Sequence, residues 1–294
     1  MSAGNPFKGS MVALVTPFKD GEVDWPRLNE LVDFHIAAGT EAIVPCGTTG
    51  ESPTLTHEEN DAIVAAVVKR ARGRVPILAG TGSNSTAEAL RMTKHARENG
   101  ADGSLLVVPY YNKPTQEGLF QHFSAIARAV DFPQVLYNIP PRCVIEMSVD
   151  TIVRLREAHA NIVAVKHATG SMDGASELLC RCDIDILSGD DSMTLPLMAI
   201  GGVGVISVLA NLVPQDVKAL TDAALAGDWE TARRWHRKMF RLAKGLLALE
   251  VNPIPIKTAM AMKGVIAEEF RLPLCRMQPA NRDKLAAALA DYGL

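Results

Sequence analysis

Short apolar segments recur along the chain, and each is followed by a polar loop and then by apolar residues at helical spacing. Runs rich in Val, Ile and Leu are typical of buried parallel strands, whereas apolar positions three and four residues apart predict one buried helix face. The pattern therefore predicts a strand-helix unit that is repeated eight times. The predicted strands are residues 11–16, 42–45, 76–80, 103–108, 134–137, 162–166, 185–188 and 203–207.

Capping residues mark several of the junctions between a loop and the next helix. Thr56 with Glu59, and Ser85 with Glu88, have the spacing of a capping box, in which the two side chains satisfy free backbone N–H groups of the first turn. Asp, Thr and Ser side chains also act as single N-caps. We expect this at Asp24, Thr115 and Ser148.

Alternation of strand and helix is compatible with an open, doubly wound sheet or with a closed barrel. No Gly-x-Gly-x-x-Gly follows the first strand, as a dinucleotide-binding sheet would favour, and eight units favour closure. We therefore predict an α/β fold, a (β/α)8 TIM barrel over residues 1–213. Residues 214–294 have helical character without a clear strand, so we predict a C-terminal helical appendage that packs on the barrel.

The stretch 192–215 contains no charged residue and is long enough to cross a bilayer. Its backbone chemistry does not suit a membrane helix, because Pro196, the cluster of glycines at 201–204 and Asn211 interrupt it. We therefore predict a short helix followed by a buried strand in this stretch.

Composition and charge limit the classes of partner. The chain has 30 Lys+Arg against 33 Asp+Glu and no run of five like charges, so we expect no nucleic-acid partner. Five cysteines do not suggest a disulfide framework, and the N-terminal segment lacks the apolar core of a leader. We therefore expect a cytoplasmic protein with no membrane partner.

In a closed barrel, polar residues at the carboxyl ends of the strands are the candidates for chemistry. Lys166 ends a buried strand and is predicted to point into the barrel mouth, with no acidic residue next to it in the sequence. Its position leaves two interpretations open. In the first, the lysine stays charged and either reaches solvent or pairs with a carboxylate. In the second, burial lowers its pKa from about 10.4 to about 7–8, so that the neutral amine forms a Schiff base.

Other residues at the predicted rim would serve that chemistry. Tyr137 ends the preceding strand and would transfer protons, and Arg142 offers its guanidinium to a carboxylate, although a surface arginine has the same pattern. The Gly47-Thr-Thr-Gly50 turn predicts a small anion site, whereas Gly80-Thr-Gly82 indicates only a tight turn. Histidine and cysteine spacings match no metal site, and there is no Gly-x-Ser-x-Gly elbow, so we expect neither a metal nor a serine nucleophile.

These residues, in this order, resemble the pyruvate-dependent class I aldolase family, and within it most closely the dihydrodipicolinate synthases of lysine biosynthesis. The resemblance covers nearly the whole chain. It is carried by Ala13-Leu-Val-Thr-Pro17, Gly47-Thr-Thr-Gly-Glu-Ser52, Ala79-Gly-Thr-Gly82, Pro109-Tyr-Tyr-Asn112, Tyr137-Asn-Ile-Pro140, Val165-Lys-His-Ala-Thr-Gly170, Leu187-Ser-Gly-Asp190 and Asn252-Pro-Ile-Pro-Ile-Lys257.

The resemblance implies that Lys166 forms an imine with pyruvate and that the enamine attacks L-aspartate 4-semialdehyde, with no cofactor. It implies a proton relay of Thr48, Tyr137 and Tyr111, in which Tyr111 reaches the neighbouring subunit's site across a tight dimer within a homotetramer. It assigns the pyruvate carboxylate to Thr49 and the semialdehyde carboxylate to Arg142. Two further substrate-binding residues that it implies are Gly189 and Ile206.

The sister enzymes of the family, N-acetylneuraminate lyase and the 2-keto-3-deoxysugar acid aldolases, share the lysine and the tyrosine. Arg142 and the Thr48-Thr49 pair favour the synthase, but another aldolase of the family stays the alternative. A catalytically inactive barrel that binds keto acids is a further alternative, against which the complete set of catalytic residues argues.

Feedback inhibition by L-lysine is a further implication of the resemblance. Five residues match the positions that line the family's allosteric site: Ser52, His57, Asn84, Glu88 and Tyr110. Pro53 and Asn60 depart from one common version of that site. His57 and Glu88 could equally be solvated residues of a first helical turn, so both interpretations stay open.

Overall fold

The computed structural model describes residues 5–294, apart from the side chain of Leu247. The first four residues, which belong to the N-terminal segment interpreted above, lie outside the described part of the chain. The strands are β1 Gly9–Ala13, β2 Phe18–Lys19, β3 Glu22–Val23, β4 Ala42–Val44, β5 Leu78–Gly80, β6 Gly103–Val107, β7 Gln134–Asn138, β8 Ile162–His167, β9 Asp185–Ser188 and β10 Gly204–Ser207.

Eight of these strands confirm the predicted barrel. They are parallel where they pair and follow the order β4-β1-β10-β9-β8-β7-β6-β5. A parallel bridge between Ile43 and Ile77 joins the two ends of that order, so the sheet closes. The interior is filled by side chains such as Met11, Val44 and Leu187, and Phe7 packs against Gly103 at the amino end of the barrel.

The first strand and its following loop differ from the prediction. Strand β1 starts and ends earlier than predicted. It ends early because the Val15 N–H donates to the side chain of Asn211 rather than to a neighbouring strand. Strands β2 and β3 form a hairpin that was not predicted, with Asp20 and Gly21 both at positive φ in its two-residue turn. An Asp-Gly pair between apolar residues is a strong hairpin signal, so the sequence contained this information.

The helices occupy the predicted places between the strands. Longer helices are α1 Trp25–Ala37, α2 His57–Ala71, α3 Thr86–Glu98, α4 Gln116–Ala129, α6 Val149–Ala158, α7 Met172–Arg181, α9 Pro214–Leu225, α10 Trp229–Leu249, α11 Ile254–Met262 and α12 Pro279–Tyr292, and shorter ones are α5 Pro140–Cys143 and α8 Thr194–Ala199. Asp24, Thr115 and Ser148 are N-caps as predicted.

Only one of the two predicted capping boxes forms completely. Thr56 and Glu59 each accept a hydrogen bond from the other's backbone N–H, at 3.1 and 2.9 Å. Ser85 caps α3, but the second half of its box is absent, because the Ser83 hydroxyl accepts from the Ser85 N–H and donates to the Glu88 carboxylate. Glu88 is therefore turned toward Ser83.

The uncharged stretch 192–215 contains the predicted short helix, α8, followed by the strand β10. Strand β10 is fully buried in the barrel, and most of α8 is buried where it packs on β9, β10 and α9. Among the residues that the structure describes, no helix combines the length and the apolar character needed to cross a membrane.

The C-terminal region begins with α9, which packs on β1 and β10, and continues with α10, α11 and α12, which pack on one another. The division into a barrel of residues 1–213 and an appendage of residues 214–294 stays a proposal. The region also reaches the mouth of the barrel, because the loop between α10 and α11 carries Asn252 to the cavity described next.

Candidate active site

A cavity of about 220 Å³ opens at the carboxyl ends of the barrel strands. Its lining includes residues that the sequence analysis took from loops and strand ends far apart in the chain. The structure brings seven of the predicted site residues together here: Thr48, Thr49, Tyr137, Arg142, Lys166, Gly189 and Ile206.

Lys166 lies near the end of β8, where its side chain is 5% exposed. Its Nζ lies 4.1 Å from the centroid of the Tyr137 ring, and within residues 5–294 it forms no ion pair. Burial lowers the pKa of this amine to about 7. This agrees with the value that the sequence analysis required of a Schiff-base lysine.

Gly189 explains how the lysine fits beside the next strand. A Cβ at this position would lie 2.7 Å from the Cβ of Ala168 and 3.2 Å from Cε of Lys166. A side chain there would push against the lysine. Glycine is therefore required by the packing around Lys166.

Asp191 is an acidic neighbour of Lys166 that the sequence analysis missed. It lines the same cavity and is half-buried, and its carboxylate accepts from the Ser207 hydroxyl and from the backbone N–H groups of Val208 and Leu209 at 3.0 and 3.1 Å. Its charge opposes the lowering of the Lys166 pKa that burial causes. The only signal in the sequence was the Asp190-Asp191 pair that follows a predicted strand.

Tyr137 is 5% exposed, and it lines the cavity together with Thr48. Burial raises the pKa of its phenol to about 12. The hydroxyl is therefore neutral at physiological pH, and as both donor and acceptor it is suited to pass a proton between Thr48 and a group bound at Lys166.

Tyr111 is not part of the cavity of its own chain. Its side chain is 87% exposed, and its backbone has a φ of 72°, which is uncommon for a tyrosine. The family resemblance implies that Tyr111 reaches the neighbouring subunit's site, and an outward-pointing side chain is compatible with that prediction.

Asn252 connects two predicted substrate-binding residues. Its side-chain Nδ2 donates to the Thr49 hydroxyl at 3.0 Å, and its backbone carbonyl accepts from Nη2 of Arg142 at 2.7 Å. Arg142 itself lies in the short helix α5 and is exposed at the mouth. Asn252 belongs to the Asn252–Lys257 motif, from which no role for it could be predicted.

The loop that carries Thr48 depends on a close backbone approach. A Cβ at Gly80 would collide with the carbonyl group of Cys46, and one at Gly82 would collide with the Val107 N–H. The interpretation of Gly80-Thr-Gly82 as only a tight turn was therefore incomplete. The two glycines let β5 pack directly against the loop after β4 and against β6.

The same loop is tied to the C-terminal region by a buried ion pair. Glu51, at a φ of 56°, binds Nζ of Lys257, and both side chains are 0% exposed. The other oxygen of this carboxylate accepts from the Arg271 N–H at 3.2 Å. Lys257 also lies over the rings of Phe18 and Phe270, at 4.4 and 5.1 Å from their centroids.

A second cavity, of about 370 Å³, lies beside the first. Four of the five predicted allosteric residues line it: Ser52, His57, Glu88 and Tyr110. The fifth, Asn84, is tied to it by the hydrogen bond from its side-chain amide to the Tyr110 carbonyl, at 3.2 Å. Thr48 and Arg142 line both cavities, so the two spaces share a wall.

Comparison with known proteins decides the family. The model of the dihydrodipicolinate synthetase family matches residues 6–292. The chain belongs to this family. A 4-hydroxy-tetrahydrodipicolinate synthase from Geotalea uraniireducens is 56% identical over 290 residues, which are 98% of this chain and 99% of that protein.

Solved structures agree with this assignment. The dihydrodipicolinate synthase of Aquifex aeolicus has a TM-score of 0.96 at 53% identity and covers 98% of this chain and 99% of its own. The lysine-bound synthase of Cyanidioschyzon merolae has a TM-score of 0.95 at 39% identity, with the same coverage. Together these relatives confirm the predicted dihydrodipicolinate synthase type of lyase over the sister aldolases.

Proposed function

We propose that the chain condenses pyruvate with L-aspartate 4-semialdehyde to 4-hydroxy-tetrahydrodipicolinate, through a Schiff base on Lys166. The observation that carries this proposal is a buried amine in the barrel mouth whose pKa is lowered to about 7. About half of such an amine is neutral at pH 7, whereas an ordinary lysine is almost entirely protonated. The nucleophile is therefore available without an adjacent base.

The residues around Lys166 suit the steps of this reaction. Nζ attacks the ketone carbon of pyruvate, and the carbinolamine hydroxyl leaves as water with a proton passed through Tyr137 and Thr48. Loss of a methyl proton gives the enamine, whose carbon forms the new bond to the aldehyde carbon. The amino group of the second substrate then attacks the imine carbon, and the bond to Nζ breaks. The imine nitrogen accepts the electron pair in this route, so no cofactor is required.

Substrate binding is assigned to groups that surround the amine. Thr49 donates its hydroxyl to the pyruvate carboxylate, and Arg142 binds the carboxylate of the semialdehyde at the more exposed side of the cavity. Gly189 leaves room beside the lysine, and Ile206 provides a buried apolar wall.

The active assembly is proposed to be a homotetramer built as a dimer of dimers. Within each tight dimer, Tyr111 completes the proton relay of the other subunit's site. The support for this arrangement is the exposed side chain of Tyr111 on a backbone that holds it away from its own cavity.

The function is tested by pyruvate consumption with and without L-aspartate 4-semialdehyde, together with borohydride trapping of pyruvate on the protein. We expect turnover that depends on the semialdehyde, and a single trapped adduct on Lys166. Trapping without turnover would support the Schiff base but contradict L-aspartate 4-semialdehyde as the second substrate, and sugar-acid aldehydes would be tested in its place. Absence of both would contradict the proposal.

L-Lysine is proposed to bind in the second cavity and to inhibit the enzyme. Glu88 supplies a carboxylate for an ammonium group, and Thr48 and Arg142 connect this cavity to the first. The lysine-bound relative described above has a similar fold. We expect millimolar L-lysine to reduce turnover in wild type and to have less effect on a Glu88→Gln variant; unchanged wild-type activity would exclude the regulation.

A further inference from the structure

We propose that Asn252 is a positioning residue that fixes the Thr49 hydroxyl as a donor to the carboxylate of pyruvate. This inference rests on the proposed function, in which Thr49 binds that carboxylate. It concerns a residue from the C-terminal helical region, outside the barrel strands and the segments that directly follow them, which supply the other assigned groups of the cavity.

The hydrogen bond between Asn252 and Thr49 sets the direction of the threonine hydroxyl. Nδ2 of Asn252 donates to Oγ1 of Thr49 at 3.0 Å, so this oxygen acts as the acceptor in that contact. A hydroxyl group has one proton to donate and two lone pairs. With one lone pair already occupied by Asn252, the Thr49 proton is left to donate into the cavity that both residues line.

The other polar atoms of Asn252 make no contact with Thr49. Oδ1 is buried and has no hydrogen-bond partner among the residues that the structure describes. The backbone carbonyl is engaged separately, because it accepts from Nη2 of Arg142 at 2.7 Å. The side chain of Asn252 therefore contacts Thr49, which is assigned to pyruvate. Its backbone carbonyl contacts Arg142, which is assigned to the semialdehyde.

This division of roles separates the two substrates in an experiment. Replacing Asn252 by alanine removes the side-chain contact to Thr49 but keeps the backbone carbonyl that holds Arg142. Thr49 can still donate, although its hydroxyl is no longer fixed. We expect the pyruvate concentration for half-maximal borohydride trapping to rise about fivefold, while the KM for the semialdehyde changes less than about twofold.

Aspartate at the same position has nearly the same shape but can only accept a hydrogen bond from Thr49. The threonine proton would then point at residue 252 and away from the substrate. Because hydrogen bonds to charged groups are the stronger ones, we expect Asn252→Asp to raise the half-saturating pyruvate concentration more than about tenfold. A purely structural role predicts the opposite order, with the smaller alanine side chain causing the larger defect.

The complete test uses wild type, Asn252→Ala, Asn252→Asp, Thr49→Val and the Asn252→Ala/Thr49→Val double variant. We expect alanine at 252 to have no further effect once Thr49 lacks its hydroxyl. The inference is overturned if aspartate binds pyruvate as well as wild type or better than alanine, if the two changes in the double variant add, or if both substrates are affected equally.

Melting temperatures are measured for every variant, and the nearly isosteric aspartate variant keeps the test decisive if the alanine variant does not fold. Wild-type protein that neither traps pyruvate nor turns over would contradict the proposed function. If wild type is active but Asn252→Ala raises the half-saturating pyruvate concentration more than Asn252→Asp does, only the role of Asn252 is contradicted.

Discussion

Replacing Lys166 by methionine is expected to abolish pyruvate consumption and borohydride trapping without destabilising the fold. Methionine is similar in length but has no amine, so the Schiff base cannot form. We expect turnover to fall by roughly 10⁴-fold or more, as when other enzymes lose their nucleophile. The cavity and its other residues should be retained, since the lysine forms no ion pair within residues 5–294.

The effect of Lys166→Met on the free energy of unfolding should depend on pH. The folded-state pKa of Lys166 is about 7, below the ordinary lysine value of 10.5, because burial disfavours the charged amine. Between pH 7 and pH 10.5 the unfolded chain binds more protons at this lysine than the folded chain does. The free energy of unfolding of wild type therefore increases as the pH rises through this range. The methionine variant should therefore be at least as stable as wild type at pH 7, and its advantage should disappear near pH 10.

Urea denaturation of both proteins at pH 7 and pH 10 measures this effect, and mass spectrometry after borohydride treatment measures trapping. A variant that still traps pyruvate would show that another amine forms the imine. A variant that is much less stable than wild type at pH 7 would show that the ammonium form is held by a partner in the folded state.

The barrel could be predicted because its signals are local. Each apolar run followed by a helical pattern specifies one strand-helix unit, and the strands β8 and β9 lie where the sequence placed them. Boundaries failed where a distant side chain intervened, as Asn211 does at the end of β1. The half-formed box at Ser85 has a local cause instead, since the nearby Ser83 hydroxyl binds the Glu88 carboxylate.

The candidate site could be predicted where it consists of strand ends. Lys166 and Tyr137 follow apolar runs directly, and their neighbouring positions on paired strands bring them together. Asn252 and Thr49 are 203 residues apart, so no periodicity in the sequence relates them. The same holds for the ion pair of Glu51 and Lys257, which are 206 residues apart.

Replacing Lys257 by methionine is expected to destabilise the fold, unlike the Lys166 substitution. Lys257 and Glu51 form an ion pair with both side chains fully buried. Removing one partner of such a pair leaves an uncompensated buried charge, so we expect the free energy of unfolding to fall by about 3–5 kcal/mol. Urea denaturation at pH 7 measures this loss.

A double variant separates loss of the charge partner from loss of packing. Glu51→Gln combined with Lys257→Met removes both charges while nearly keeping the two shapes, so it should recover most of the lost stability. Lys8→Met is the matched control, because Lys8 is 52% exposed in its ion pair with Asp185 and its loss should cost less than about 1 kcal/mol. A double variant no more stable than Lys257→Met would refute the electrostatic explanation.

The Lys257 substitution should also weaken pyruvate binding, although the residue does not line the cavity. Glu51 directly follows the turn that carries Thr48 and Thr49, and its carboxylate is held by Lys257 and by the Arg271 N–H. When the lysine is removed, the residue that follows that turn loses its ion pair with the C-terminal region. We therefore expect a higher half-saturating pyruvate concentration in Lys257→Met and a near-normal value in the Glu51→Gln/Lys257→Met variant, which ties the stability of this buried pair to the geometry of the site.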